Sequence, residues 1–170
     1  FHGTVSDFGE PTNPALHFQF EEASGATTFY DNSGTELNAT CTACPTAGQA
    51  GVTGQAVQLS GTQYLEVPHQ AALNLGSGFA YSGWHYLDSV SIQQLVVHSG
   101  FELAMTGQGK LLITLSTTNT SYFLPTATSL PIGQWFHLAM TWQAGEEAAV
   151  YIDGTLVNTI QTPNTTSLDN

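Results

Sequence analysis

The 170 residues carry 13 acids against a single lysine, a formal net charge of −12, although only 8% of positions are charged at all. A polyanionic partner such as nucleic acid is not expected, because the chain has nothing with which to neutralise phosphates. One domain of this length buries about 70% of its unfolded surface without covalent staples.

The surface must be solvated by Thr, Ser, Gln and Asn, a balance that suits an extracellular or cell-surface protein. No run approaches the roughly 18 apolar residues of a membrane span, and no basic-then-apolar leader is present. A chain opening on Phe1 is expected to be processed or to be a window of something longer.

In chain order, residues 1–14 (FHGTVSDFGEPTNP) place Phe1, Gly3, Val5 and Phe8 ahead of an acid-containing, proline-rich stretch. Leu16 to Phe20 alternates Leu, Phe, Phe inward with His17 and Gln19 outward, the period of a strand. Ser24-Gly25 and Asn32-Ser33-Gly34 are turns. Gln55 to Leu59 and Tyr64 to Val67 are predicted strands, and Pro68 to Gly78 is a connection with room for one helical turn. Phe79 to Asp88, Ile92 to Ser99, Glu102 to Met105, Lys110 to Ser116 and Ser121 to Leu124 follow as strands. In the next strand Trp135, His137, Ala139 and Thr141 separate from Phe136, Leu138, Met140 and Trp142, with both faces largely apolar. Ala148 to Ile160 reads as a hairpin turning on Asp153-Gly154, a dipeptide suited to positive φ. The spacing predicts an all-β sandwich of about 12 strands.

Five of these blocks resemble the laminin-G-like branch of the concanavalin A-like jelly rolls. They are Leu16–Glu21 with Tyr30–Gly34, Gly54–Gly61 with Tyr64–Pro68, Phe79–Trp84, Trp135-Phe136-His137-Leu138-Ala139 with Thr141-Trp142, and Val150-Tyr151-Ile152-Asp153-Gly154. The resemblance implies a two-sheet antiparallel jelly-roll sandwich over residues 15–170. It also makes residues 1–14 look displaced, since Phe1-x-Gly3-x-Val5 with Asp7, Phe8 and Ala15-Leu16 is similar to the strand that normally closes such a domain. Circular permutation, a window across tandem domains, and a strand swapped or donated between like subunits each account for that, as does an ordinary N-terminal strand with an accidental likeness.

The family resemblance also implies sites. Many relatives hold Ca²⁺ with loop oxygens, and here Asp31, Asn32 and Asp7 are the candidate ligands. An Asx-type turn at Asp31 and Asn32 explains the same residues without metal. Trp84, Trp135 and Trp142 fall on family core positions, leaving Tyr64, Tyr86, Tyr122 and Phe123 as the freer aromatics for a sugar. Glycosidases of this class carry two carboxylates alternating on one strand. Glu21-Glu22 and Glu146-Glu147 are adjacent pairs pointing to opposite faces, so no enzyme is expected.

The six histidines show no metal-ligand spacing, and no nucleophile elbow or phosphate loop occurs. Cys41-Thr42-Ala43-Cys44 lacks the βα unit of a redox pair and the further ligands of a zinc site, so a local disulfide is expected. Asn38, Asn119 and Asn164 begin sequons that are glycosylation acceptors or chance matches in a threonine-rich chain. The expected function is a non-enzymatic extracellular structural or adhesive module, a filament or array subunit joined through the Phe1–Phe8 strand. The second reading is a lectin-like glycan-binding module, with calcium as its cofactor.

Overall fold

The computed structural model describes residues 14–117, 120–161 and 168. The assembly residues Phe1, Gly3, Val5 and Phe8, the calcium candidate Asp7, and the sequon residues Asn119 and Asn164 lie outside the described residues. The chain divides into two compact units, Phe1–Leu73 and Asn74–Asn170.

In the first unit, β1 (Thr28–Phe29) pairs with β2 (Ala39–Thr40), and β3 (Thr46–Ala50) pairs with β4 (Gln55–Gln58). Phe29, Ala39 and Ala47 form its buried centre, with Phe18, Phe20, Val57, Leu65 and Val67 packed against them. The Leu16–Phe20 alternation survives as burial, but the expected strand is reduced to one bridge between Phe18 and Asp31. Phe20 has φ 58°, which ends the extended run and turns its ring edge-on to Phe29. Tyr64–Val67 likewise pairs only through Glu66, whose N–H and C=O both bond to Thr40 ahead of Pro68. A single 3-10 turn at Ala71–Leu73 fills the predicted connection.

The second unit is the sandwich. One sheet has the order β12-β11-β10-β5, built from β5 (Gly78–Tyr86), β10 (Trp135–Gln143), β11 (Ala148–Ile152) and β12 (Thr155–Ile160). The other is the meander of β6 (Gln93–His98), β7 (Phe101–Met105), β8 (Lys110–Thr117) and β9 (Thr120–Ser129). Their inner faces share one core, with Leu103, Met105, Leu111, Ile113 and Leu115 against Phe136, Leu138, Met140, Val150 and Ile152. The alternation along β10 is strict, Phe136, Leu138, Met140 and Trp142 being buried and their neighbours only partly so. Tyr122 packs against this core and is not a free aromatic.

The hairpin between β11 and β12 turns on Asp153 at φ 50° and Gly154 at φ 75°, the two positive angles of a type I′ turn. Asp153 does a second job. Its N–H donates to the His137 carbonyl at 2.9 Å, and its Oδ1 accepts the His137 N–H at 2.8 Å. The side chain thus extends the β10–β11 ladder beyond the last backbone pair and fixes the register of everything on β10. Asp153→Ala removes that acceptor and puts a poor residue at positive φ, for an expected loss of about 1–3 kcal/mol in chemical denaturation. Asp153→Asn, which accepts the same bond and tolerates the angle, should lose much less.

Candidate functional site

The outer face of the β5–β10–β11–β12 sheet is aromatic. β5 and β10 pair antiparallel, so Tyr86 lies opposite Trp135, and Trp84 opposite His137. In the next outward row Ser82 faces Ala139, which faces Tyr151 on β11, which faces Leu156 on β12. Both aromatic pairs are edge-to-face, with ring centroids 5.6 Å apart for Tyr86–Trp135 and 5.3 Å for Trp84–His137. Cross-strand rings in this arrangement hold one another at fixed tilt and lose little entropy on contact with a ligand. Trp84 is 53% exposed and Tyr86 45%, while Trp135 and His137 are half-buried beside them on β10. The β5 rings are therefore presented and the β10 rings support them.

This corrects the expectation that all three tryptophans are core. Trp142 is 3% exposed and packs inward, but Trp84 and Trp135 sit on the opposite face of their strands. Parity decides it. Phe79 and Tyr81 point inward on β5, so Trp84, an odd number of residues away, must point out. Tyr64 and Phe123 are exposed as expected, Phe123 on the outer face of the other sheet opposite Thr114.

Behind the aromatic face, Tyr81 Oη and His85 Nε2 share a 2.7 Å hydrogen bond in the half-buried inner row of β5. Gly83 stands between them, and a Cβ there would lie 2.8 Å from the Tyr81 hydroxyl. Burial, with His137 nearby on β10, pushes the His85 imidazole down to about 4, and burial pushes the Tyr81 phenol up. His85 stacks on Phe136 at 5.8 Å, which ties the inner row to the strand that carries Trp135 and His137.

Asp31 and Asn32 are the expected calcium ligands among the described residues, and Asp31 is the charged one. Its Oδ1 accepts the backbone N–H groups of His17 and Ser33, both at 2.9 Å. Oδ2 accepts the hydroxyls of Ser33 and Thr35 at 2.7 Å and the Leu37 N–H at 3.2 Å. Burial works against its ionisation, yet these donors outweigh it and hold the carboxyl well below the usual carboxylate range. Five donors fill the lone pairs of one carboxylate, so Asp31 as placed does not fit a calcium ligand. The Ser33 N–H bond is that of an Asx turn. Asn32 stays beside it as an exposed residue whose N–H bonds to the His17 carbonyl.

Asn38 Oδ1 accepts the Asp31 N–H at 2.9 Å, so Asn38 belongs to the same loop scaffold. Cys41 and Cys44 are joined as a disulfide. Glu21 and Glu22 each accept a backbone N–H, from Gln55 and Tyr30. Among the described residues no cluster of three His, Cys, Asp or Glu side chains stands in metal-binding geometry.

Residues 59–170 match the family profile of the concanavalin A-like lectin/glucanases superfamily, Laminin_G_3. The chain belongs to that superfamily. No protein of curated function matches it. Among solved structures it is similar to the binding domain of Paraclostridial Mosquitocidal Protein 1, with a TM-score of 0.68, 14% identity, and coverage of 93% of this chain and 42% of that one. It is also similar to a botulinum neurotoxin type C structure, described for cell entry through two ganglioside molecules, with a TM-score of 0.61, 18% identity and coverage of 91% and 40%. Domain 4 of AbnA, a GH43 extracellular arabinanase from Geobacillus stearothermophilus in complex with arabinotriose, gives 0.60 at 19% identity, covering 88% and 76%. The chain spans about two fifths of the length of the two toxin chains. At these identities the likeness is one of fold.

Two outcomes distinguish the faces of this concanavalin A-like sheet. Trp142→Ala should cost about 3–5 kcal/mol, whereas Trp84→Ala should cost no more than about 1 kcal/mol in the same denaturation series. The half-buried His85 also sets an acid limit. Its folded value is depressed, so between about 6.5 and about 4 the unfolded chain binds a proton that the folded chain does not. Stability should therefore fall as pH drops through that window, by on the order of 3 kcal/mol, and His85→Gln should flatten the slope in urea titrations at the two ends.

Proposed function

We propose that the chain is a non-catalytic carbohydrate-binding module of an extracellular or cell-surface protein. The single observation that carries this is the exposed Trp84–Tyr86 pair, buttressed by His137 and Trp135 on the outer face of the β5–β10 sheet. Flat apolar rings bordered by hydroxyl and imidazole groups match a sugar, which has apolar C–H faces and a polar rim. A contiguous exposed aromatic patch on a small domain is a binding surface more often than an accident of folding.

Three observations are consistent with this reading. The superfamily includes lectins by name, and one similar domain is seen with arabinotriose. The Cys41–Cys44 disulfide suits an oxidising compartment. Glu21 and Glu22, one of the two adjacent acid pairs, each accept a backbone N–H. The assembly role through Phe1, Gly3, Val5 and Phe8 draws no support from the described residues, and an adhesive role would use the same aromatic face.

Affinity gel electrophoresis against a panel of soluble polysaccharides tests the reading. Retention by at least one polymer is expected, weakened about tenfold or more by Trp84→Ala or Tyr86→Ala. Runs with calcium and with chelator should agree, since the oxygens of Asp31 are already taken by donors. Retention that both aromatic substitutions leave unchanged would contradict it.

A further inference from the structure

The charge of the chain and the way its one cation is used narrow the ligand. Lys110 is the only lysine or arginine in the 170 residues. Its Nζ donates to the Ala127 carbonyl at 2.6 Å and to Ser129 Oγ at 2.8 Å, bracing the β8–β9 pair of the other sheet. Two of its three N–H donors are thus spent within that sheet, and no other lysine or arginine is available to place an ammonium or guanidinium group on the aromatic face for a carboxylate, sulfate or phosphate. Recognition of such groups relies on charge-assisted donors of that kind. Next to the aromatic rows stands a further negative charge, the Asp153 carboxylate, held in place by the His137 N–H. His85, the histidine just beneath, is kept neutral by burial at ordinary pH. The field over the sheet is that of a chain with net charge −12, which repels anions.

The presented rings also have a direction. Trp84 and Tyr86 are two residues apart on β5, roughly 6.6 Å along the strand. The same face continues on β5 through exposed Ser82 and Ala80, which are too small to block an extended ligand. Across the sheet, the track is closed by the half-buried Trp135 and His137.

We propose that the ligand of this face is an uncharged oligosaccharide segment lying along β5, and that anionic glycans are rejected. The inference rests on the reading of the face as a glycan platform, and adds to it a chemical class. Affinity should be nearly independent of salt, because no ion pair or counterion release contributes.

The test uses the whole chain at about pH 8, where ordinary imidazoles are neutral, in about 50 mM and about 500 mM salt. The probes are three neutral polymers, arabinan, xylan and mixed-linkage β-glucan, and three anionic ones, polygalacturonate, alginate and heparin. The expected result is retention by at least one neutral polymer, equal at both salts, lost by about tenfold or more in Trp84→Ala and largely kept in Trp84→Phe. None of the anionic polymers should retain it. Retention by an anionic polymer that depends on Trp84 and weakens with salt would overturn the uncharged class while leaving the glycan platform standing. If no polymer of either kind retains the chain, or if Trp84→Ala binds as well as the parent, the platform and the class fall together.

Discussion

The antiparallel pairing of β5 with β10 is the constraint on which the candidate site depends. Nine consecutive positions are in register, from Trp135 opposite Tyr86 to Gln143 opposite Gly78. A strand has a period of two, so a single choice of face assigns every side chain on both strands at once. Phe136, Leu138, Met140 and Trp142 must fill the sandwich core, and that choice sends Trp135 and His137 outward to meet Tyr86 and Trp84. The cost of slipping the register by one residue would be the whole core, which is why the outer aromatic rows are held without any contact of their own being strong. Asp153 pins the end of the ladder where these rows begin.

Much of this was readable from the residues. The split of β10 into two faces, the Asp153-Gly154 turn and the strands from Phe79 onward follow from alternation and turn chemistry, the jelly-roll class follows from the family resemblance, and all agree with the structure and the family match. The site was less legible for a definite reason. Tryptophan is usually read as core, and a sheet with apolar residues on both faces gives no polarity signal to say which face is wet. The signal that did exist was parity along β5, where Trp84 and Tyr86 share one face and Phe79 and Tyr81 the other. In the first unit β1 and β2 carry two residues each, too few for any period to show, β3 is broken by a bulge between Thr46 and Gln49, and Phe20 interrupts a run that looks continuous as letters because its backbone turns through positive φ.

Polar chemistry in the molecule is mostly turned inward on structure. Asp31 spends both oxygens on five donors, Lys110 braces two strands, and Glu21 and Glu22 satisfy backbone N–H groups. A buried or half-buried polar group has to be paired in this way, and a chain with so few charges has little left over for chemistry. What remains presented to solvent in an ordered, repeated arrangement is aromatic. In the proposed reading the rings serve as a binding surface, being supported from the side and exposed at the front, and the lack of cationic side chains beside them sets its selectivity.

The three tryptophans make the most direct measurement available, since each gives its own indole N–H signal in a nitrogen-edited spectrum. Arabinotriose, xylohexaose and laminarihexaose would each be titrated into the labelled chain. Saturable shifts at Trp84 and Trp135, with Trp142 unmoved, are the result expected of a platform on the outer face of the β5–β10 sheet. Shifts at Trp142 alone, or saturable binding that leaves all three indoles unmoved, would contradict it.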